Sequence, residues 1–135
     1  MSRKRVFFIV DDDVDDQDLF IEAVHEIDES IICFSASDCE EALELLKGGT
    51  IGLPDIIFLD LNLPRINGKQ CLVALKEDAR LQRIPVIIYS TSSEKREIDE
   101  VARLGAVHFL TKPNRFVELC NALSYVIRRE WPVVI

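Results

Sequence analysis

Ile56-Ile57-Phe58-Leu59-Asp60 is a short apolar run that ends in a single carboxylate. A second run, Phe7-Phe8-Ile9-Val10, also ends in acids, at Asp11-Asp12-Asp13. Continuous apolar runs of this kind are typical of parallel strands that are buried on both faces. In an open sheet of such strands, ligands bind in the crevice at the carboxyl ends. Two strand ends that carry acids can therefore converge there on one divalent cation.

Further apolar runs, with helical patterns between them, extend this arrangement along the chain. The runs predicted as strands are Val6–Val10, Ile31–Phe34, Ile56–Leu59, Val86–Tyr89 and Val107–Leu110. Apolar residues recur between them at helical spacing, for example at Phe20, Ala23, Val24 and Ile27. Alternating strands and helices predict a parallel sheet with helices on both faces, because the crossovers are right-handed. The predicted fold class is α/β, with five βα units in series.

Local signals mark where several of the predicted helices begin and end. Asp38 and Glu41 have the spacing of a capping box, and Gly48-Gly49 ends the helix that follows them. Further helices are predicted over residues 68–78 and 93–105, where polar residues, glycine and proline bracket the helical pattern.

Length and composition limit the classes of protein that fit. The chain has 135 residues, nearly half of them hydrophobic, which predicts one folded domain. A formal net charge of −8 argues against binding to nucleic-acid phosphates. Membrane spans and signal peptides are not expected, because no apolar stretch is long enough and the first one meets Asp11 at once.

The four cysteines have no spacing that indicates a metal site or a redox motif. They stand at Cys33, Cys39, Cys71 and Cys120, with no Cys-x-x-Cys pair and no histidine at metal-ligand spacing. We therefore expect a cytoplasmic protein with reduced, buried thiols.

Acids follow the first and third predicted strands, where they would share one edge of the sheet. Crowded carboxylates raise one another's pKa unless a cation is bound, and Mg²⁺ prefers hard oxygen ligands. Asp11 and Asp12 are therefore candidate metal ligands. Asp60 is either a third ligand or a nucleophile that becomes an acyl phosphate, and the two roles are compatible. Asp13, Asp15 and Asp16 are interpreted instead as helix N-terminal acids that the helix dipole favours.

Two more strand ends complete the predicted site. Lys112 follows the fifth strand and precedes Pro113, which disfavours helical geometry at the lysine. Its ammonium group is suited to attract a phosphoryl group in a partly enclosed cleft. Ser90 follows the fourth strand and offers a hydroxyl donor to the phosphoryl oxygens.

With these residues in place, the chain resembles the receiver domains of two-component response regulators over nearly its whole length. The matching features are Asp11-Asp12, Asp60 with Asn62, Pro64 and Gly68 beyond it, Ser90, and Lys112-Pro113. The resemblance implies a flavodoxin-like fold, a doubly wound three-layer sandwich whose five-stranded parallel sheet has the order 2-1-3-4-5. Residues 11–16 and 61–65 look most like stand-alone regulators that are paired with bacterial phytochromes.

The resemblance also implies roles for individual residues. Asp60 would accept a phosphoryl group from a phosphohistidine on a sensor histidine kinase or a phosphotransfer protein. Asp12 and Asp60 would bind Mg²⁺ directly, Asn62 through its backbone carbonyl and Asp11 through water. Ser90 and Phe109 would form a switch pair that reshapes the surface of the last two helices and the strand between them.

We expect residues 1–130 to form the receiver domain and residues 131–135 an apolar tail, with no output domain. Signalling would then pass by protein contact or by relay of the phosphoryl group. The tail, which contains Trp131, is expected either to form a homodimer together with the last helix or to pack on its own domain.

Two other classes of function compete with this interpretation. A phosphatase of the haloacid-dehalogenase type would carry a second acid where Asn62 stands, and without it turnover lacks a general acid. A degenerate receiver that serves only as a binding module would lack one of the acids or the lysine. Since the set is complete and Asn62 is not an acid, we predict a switch and not an enzyme with turnover.

Overall fold

The computed structural model describes residues 4–49 and 51–131. Strands and helices alternate along it as β1 Val6–Val10, α1 Val14–Ile27, β2 Ile32–Ala36, α2 Cys39–Lys47, β3 Ile56–Leu59, α3 Gly68–Glu77, β4 Val86–Ser90, α4 Lys95–Arg103, β5 His108–Thr111 and α5 Phe116–Ile127. Neighbouring strands are parallel, and the order across the sheet is β2-β1-β3-β4-β5. The predicted flavodoxin-like fold and strand order are confirmed.

The central strands are apolar throughout because helices cover both faces of the sheet. Phe8 and Ile57 belong to the core under α2, α3 and α4, whereas Phe7 and Phe58 belong to the core under α1 and α5. The rings of Phe20 on α1 and Phe58 lie 4.7 Å apart, which anchors α1 directly on β3. With β1 and β3 locked side by side between two cores, their carboxyl ends meet at one edge.

The helix caps agree with the sequence analysis except in one detail. Asp38 caps α2 by accepting a hydrogen bond from the Glu41 N–H at 2.7 Å. The Glu41 carboxylate, however, accepts from the Ser37 N–H at 2.8 Å, so the predicted return bond to Asp38 is wrong. A reciprocal capping box occurs at the start of α3 instead, between Asn67 and Gln70.

Cys39 and Cys71 are joined by a disulfide, with their Cα atoms 5.8 Å apart. The prediction of reduced thiols is therefore wrong for this pair, while Cys33 and Cys120 are free. Both bonded cysteines are fully buried in the core under α2, α3 and α4. Their sequence separation of 32 residues carries no local signal, and only the packing of α2 beside α3 brings them together.

Trp131 is the one residue of the predicted tail that lies within the described residues. Its indole N–H donates to the Val126 carbonyl at 3.0 Å, and its ring lies 5.3 Å from that of His108. Trp131 thus packs on its own domain, and residues 132–135 lie outside the described residues. Within residues 4–49 and 51–131, no helix combines the length and the apolar character that crossing a membrane requires.

Candidate functional site

Two central strands place acids side by side at the carboxyl edge of the sheet. Asp11 follows β1 and Asp60 follows β3, and the Asp60 N–H donates to the Val10 carbonyl at 3.0 Å. Asp11 is 0% exposed and Asp60 is 5% exposed, whereas Asp12 faces solvent. Carboxylate oxygens of Asp11, Asp12 and Asp60 all lie within 4.8 Å of one another. The structure therefore brings together the three acids that the sequence analysis selected.

This acidic cluster fits a hard divalent cation such as Mg²⁺. The ion binds oxygen ligands at about 2.1 Å, so ligating oxygens lie roughly 3–4 Å apart around it. Backbone groups orient two of the acids, because Asp11 accepts from the Asp13 N–H and Asp60 from the Asn62 N–H, both at 3.0 Å. Burial raises the pKa of Asp11 to about 6, and the hydrogen bond from Lys112 offsets only part of this rise. A bound cation would favour the ionised form of this acid.

Lys112 places one ammonium group among three carboxylates. Its Nζ atom lies 2.7 Å from Asp11, 2.9 Å from Asp16 and 3.0 Å from Asp60. A backbone hydrogen bond of 2.7 Å from the Lys112 N–H to the Ser90 carbonyl holds the end of β5 beside β4. Burial lowers the pKa of Lys112, but the hydrogen bonds to the three carboxylates outweigh it and leave the pKa raised. Lys112 therefore presents a partly buried positive charge at the site.

Asp16 is a member of this cluster that the sequence analysis missed. The sequence predicts a helix N-terminal acid at this position, and Asp16 does lie in the first turn of α1, where its N–H donates to Asp13 at 3.1 Å. Its carboxylate also reaches Lys112, which stands 96 residues further along the chain. One signal for this was available: α1 begins only four residues after β1, so its first turn must lie over the same edge.

Ser90 and Phe109 lie on the same face of the sheet. Ser90 is fully buried and ends β4, and its Oγ accepts a hydrogen bond from the Ser92 N–H at 3.4 Å. Phe109 pairs with Ile88, two residues before Ser90, and packs on the core under α4. Beside it, an apolar groove of about 200 Å³ runs between α4 and β5. Ser90, Phe109 and this groove therefore lie along one face of the sheet.

Gly68 allows α3 to begin close behind the site. Its N–H donates to the Leu61 carbonyl at 2.9 Å, which closes the loop that carries Asn62. A Cβ atom at position 68 would collide with the backbone of Asp60 and Leu61. The glycine that matched the family's spacing therefore has a direct steric reason to stand there.

Comparisons with known proteins agree with this geometry. A family model described as the response regulator receiver domain matches residues 7–124. A protein-glutamate methylesterase/protein-glutamine glutaminase of Syntrophomonas wolfei is 31% identical over 121 residues, which cover 88% of this chain and 32% of that protein. The chain spans about half or less of the length of the curated relatives it matches, at 54%, 32% and 12% for three of them.

Two solved structures resemble the chain over most of its length. The phosphorylated cyanobacterial phytochrome response regulator RcpA is 29% identical with a TM-score of 0.84, and the match covers 92% of this chain and 91% of that one. The Mn²⁺-bound form of response regulator Rcp1 is 25% identical with a TM-score of 0.82, covering 96% and 99%.

Proposed function

Because the chain belongs to the family of response regulator receiver domains, we propose that it is a signalling switch that accepts a phosphoryl group on Asp60. One observation carries this proposal: the buried Asp60 carboxylate lies beside two other acids and 3.0 Å from the ammonium group of Lys112. A nucleophile, a set of metal ligands and a fixed cation thus occur within one small cluster. These are the parts that phosphoryl transfer needs.

In the proposed reaction, a carboxylate oxygen of Asp60 attacks the phosphorus of a phosphohistidine on a sensor histidine kinase or a phosphotransfer protein. The new P–O bond gives an acyl phosphate, while the P–N bond breaks and its electron pair leaves with the histidine. Lys112 binds a phosphoryl oxygen, and the Ser90 hydroxyl donates to another.

We propose that Asp12 and Asp60 hold Mg²⁺ directly, with the backbone carbonyl of Asn62 as a further ligand and Asp11 acting through water. When bound, the ion neutralises negative charge on the transferring phosphoryl group. The hydrogen bond from the Asn62 N–H to Asp60 supports this assignment. It fixes one carboxylate oxygen of Asp60 and keeps the backbone of Asn62 close to the acidic cluster.

The output would pass through Ser90 and Phe109. When the Ser90 hydroxyl turns toward the phosphoryl group, the Phe109 ring moves inward and changes the groove between α4 and β5. The α4–β5–α5 surface then differs between the two states, and a partner protein reads it by contact. The placement of both residues on one face of the sheet supports this route.

The experiment is to incubate the protein with Mg²⁺ and acetyl phosphate and to measure its intact mass. We expect one phosphoryl adduct on the wild-type chain and none on Asp60→Asn. Asp55→Asn is the matched control, since Asp55 stands at the other end of β3, and it should keep the adduct. If acetyl phosphate, phosphoramidate and a cognate kinase all give no adduct, the chain is a binding module and the proposal fails.

We also propose that α5, together with the tail, forms a homodimer contact. Val117 is 68% exposed and Tyr125 is 48% exposed, so α5 presents large apolar side chains to solvent. Sedimentation of the full chain and of a chain that ends at Glu130 tests this, and an unchanged oligomeric state would contradict the proposed contact. The proposed kinase partner would place the protein in the cytoplasm.

A further inference from the structure

Asp16 contacts the cluster but has no part in the reaction proposed above. Its carboxylate lies 2.9 Å from Lys112, and its side chain is 34% exposed, compared with 9% for that of Lys112. The contact joins the first turn of α1 to the residue that directly follows β5. The ion pair is therefore a tertiary contact within the site and not a local helix feature.

Lys112 has three N–H donors, and each of them has one carboxylate partner. Asp11 and Asp60 come from neighbouring strands, whereas Asp16 comes from a helix. When Asp60 becomes an acyl phosphate, the N–H of Lys112 that donated to Asp60 can turn to a phosphoryl oxygen. Asp11 and Asp16 then remain as the two partners that hold the ammonium group in place.

A lysine needs such support because its long side chain has several rotatable bonds. The ring of Tyr89 lies 5.3 Å from the Lys112 Nζ atom and forms one wall, so the carboxylates set the direction of the N–H donors. With Asp16 removed, Asp11 alone would hold the ammonium group opposite the phosphoryl group. Loss of alignment at the reacting atoms costs rate even when every reacting group is still present.

We propose that Asp16 is a positioning residue, which supplies the third acceptor for Lys112 and so holds the ammonium group toward the phosphoryl group during transfer. This role rests on the proposed function of Asp60. What matters is then the acceptor oxygen at position 16, which an asparagine keeps and an alanine lacks.

Asp15 provides a matched control. It lies in the same first turn of α1 and faces solvent, so Asp15→Ala removes the same favourable charge from the helix N-terminus. A difference between Asp16→Ala and Asp15→Ala therefore reports on the contact with Lys112. Thermal unfolding of both variants checks that each is folded.

The first measurement is the rate of phosphorylation by acetyl phosphate in the presence of Mg²⁺. We expect Asp16→Ala to be roughly tenfold slower than Asp15→Ala. Asp16→Asn should recover to within about twofold of the wild-type rate, because its amide oxygen still accepts a hydrogen bond from Lys112. If Asp16 had only a structural role in α1, the phosphorylation rate would not depend on whether residue 16 carries a hydrogen-bond acceptor.

The second measurement needs neither metal nor phosphodonor. In ¹⁵N-labelled protein, the ammonium signal of Lys112 is identified by its loss in Lys112→Met. Three hydrogen bonds protect that group from exchange with water, so the signal should persist in the wild type and in Asp15→Ala. We expect Asp16→Ala to lose it.

Three outcomes would overturn this proposal. Equal phosphorylation rates for Asp16→Ala and Asp15→Ala would show that Asp16 is only a helix N-terminal acid. Faster phosphorylation of both Asp16→Ala and Asp16→Asn would show that its charge competes for Lys112 instead of positioning it. A wild-type chain that accepts no phosphoryl group would overturn the proposed function of Asp60 and this role with it, whereas the first two results leave that function intact.

Discussion

Strand β3 has an acid at each end, and the two acids lie in different surroundings. Asp55, before the strand, accepts a hydrogen bond from the Val6 N–H at 2.8 Å, and its own N–H donates to the Val6 carbonyl at 2.8 Å. Asp60, after the strand, faces two acids and the ammonium group of Lys112. The acid at the amino edge joins two strands by hydrogen bonds, and the acid at the carboxyl edge belongs to the charged cluster where we propose phosphoryl transfer. An acid at a strand end indicates function only where other charged groups converge on it.

The same contrast holds for two partly buried lysines. Lys76 donates to the carbonyls of Gln82 and Ile84 at 3.0 and 2.9 Å, at the amino edge, and burial lowers its pKa. Lys112 lies among carboxylates at the carboxyl edge, and its pKa is raised against the effect of burial. Lys76 thus joins two segments through backbone carbonyls, while Lys112 holds a positive charge among carboxylates, where we propose that a phosphoryl group binds.

The largest expected effect comes from exchanging each lysine for methionine. Lys112→Met should slow phosphorylation by acetyl phosphate by about 100-fold to 1,000-fold, because a preorganised charge is lost where negative charge develops. Lys76→Met should leave the rate within about twofold and lower the free energy of unfolding by about 1 kcal/mol. The rate is followed by intact mass over time. An equal fall in the phosphorylation rate of both variants would contradict the proposal that only the lysine at the carboxyl edge takes part in the reaction.

A smaller effect is expected from two glycines that stand at opposite edges. Gly68→Ala should cost about 3 kcal/mol of stability and also impair phosphorylation, because the new Cβ atom displaces the backbone of Asp60. Gly105 has φ +112° and lies beside the Lys76 side chain, so Gly105→Ala should cost about 1–2 kcal/mol and spare phosphorylation. Denaturant unfolding and the acetyl phosphate assay measure the two effects separately. Normal phosphorylation of a folded Gly68→Ala chain would contradict the steric argument.

The smallest expected effect is a pH dependence that belongs to the carboxyl edge. Burial raises the pKa of Asp11 from 3.8 to about 6, so between these values the folded chain holds a proton that the unfolded chain has lost. In metal-free protein this group's stabilisation is present below about pH 4 and is lost as the pH rises through about 6. Between pH 7 and pH 5 the effect should be about 1 kcal/mol in the free energy of unfolding.

The difference between the wild type and Asp11→Asn isolates this contribution from other carboxylates. In EDTA the free energy of unfolding of the wild type should rise relative to that of the variant as the pH falls from 7 to 5. Saturating Mg²⁺ should suppress the gain, because the ion favours the ionised acid. A difference that does not vary with pH in EDTA would show that Asp11 titrates normally.

The parts that were predicted from sequence depend on local patterns. Val6–Val10 and Ile56–Leu59 were predicted with the bounds that the structure shows, because strands buried on both faces are apolar at every position. The bounds of the edge strand β2 were predicted less accurately. It was expected over Ile31–Phe34, whereas the structure places it at Ile32–Ala36. The capping box at Asn67 and Gln70 has an ordinary sequence signal that was overlooked.

The sequence by itself determined the sheet and the edge at which Asp11, Asp60, Ser90 and Lys112 meet. Apolar continuity defines each strand, and parallel connection sends all carboxyl ends to one side, so both features follow from neighbouring residues. Only the tertiary structure decided that Asp16 reaches Lys112 and that Cys39 bonds to Cys71. Those contacts depend on how each helix sits on the sheet, and that placement is set by side-chain packing between segments far apart in the chain.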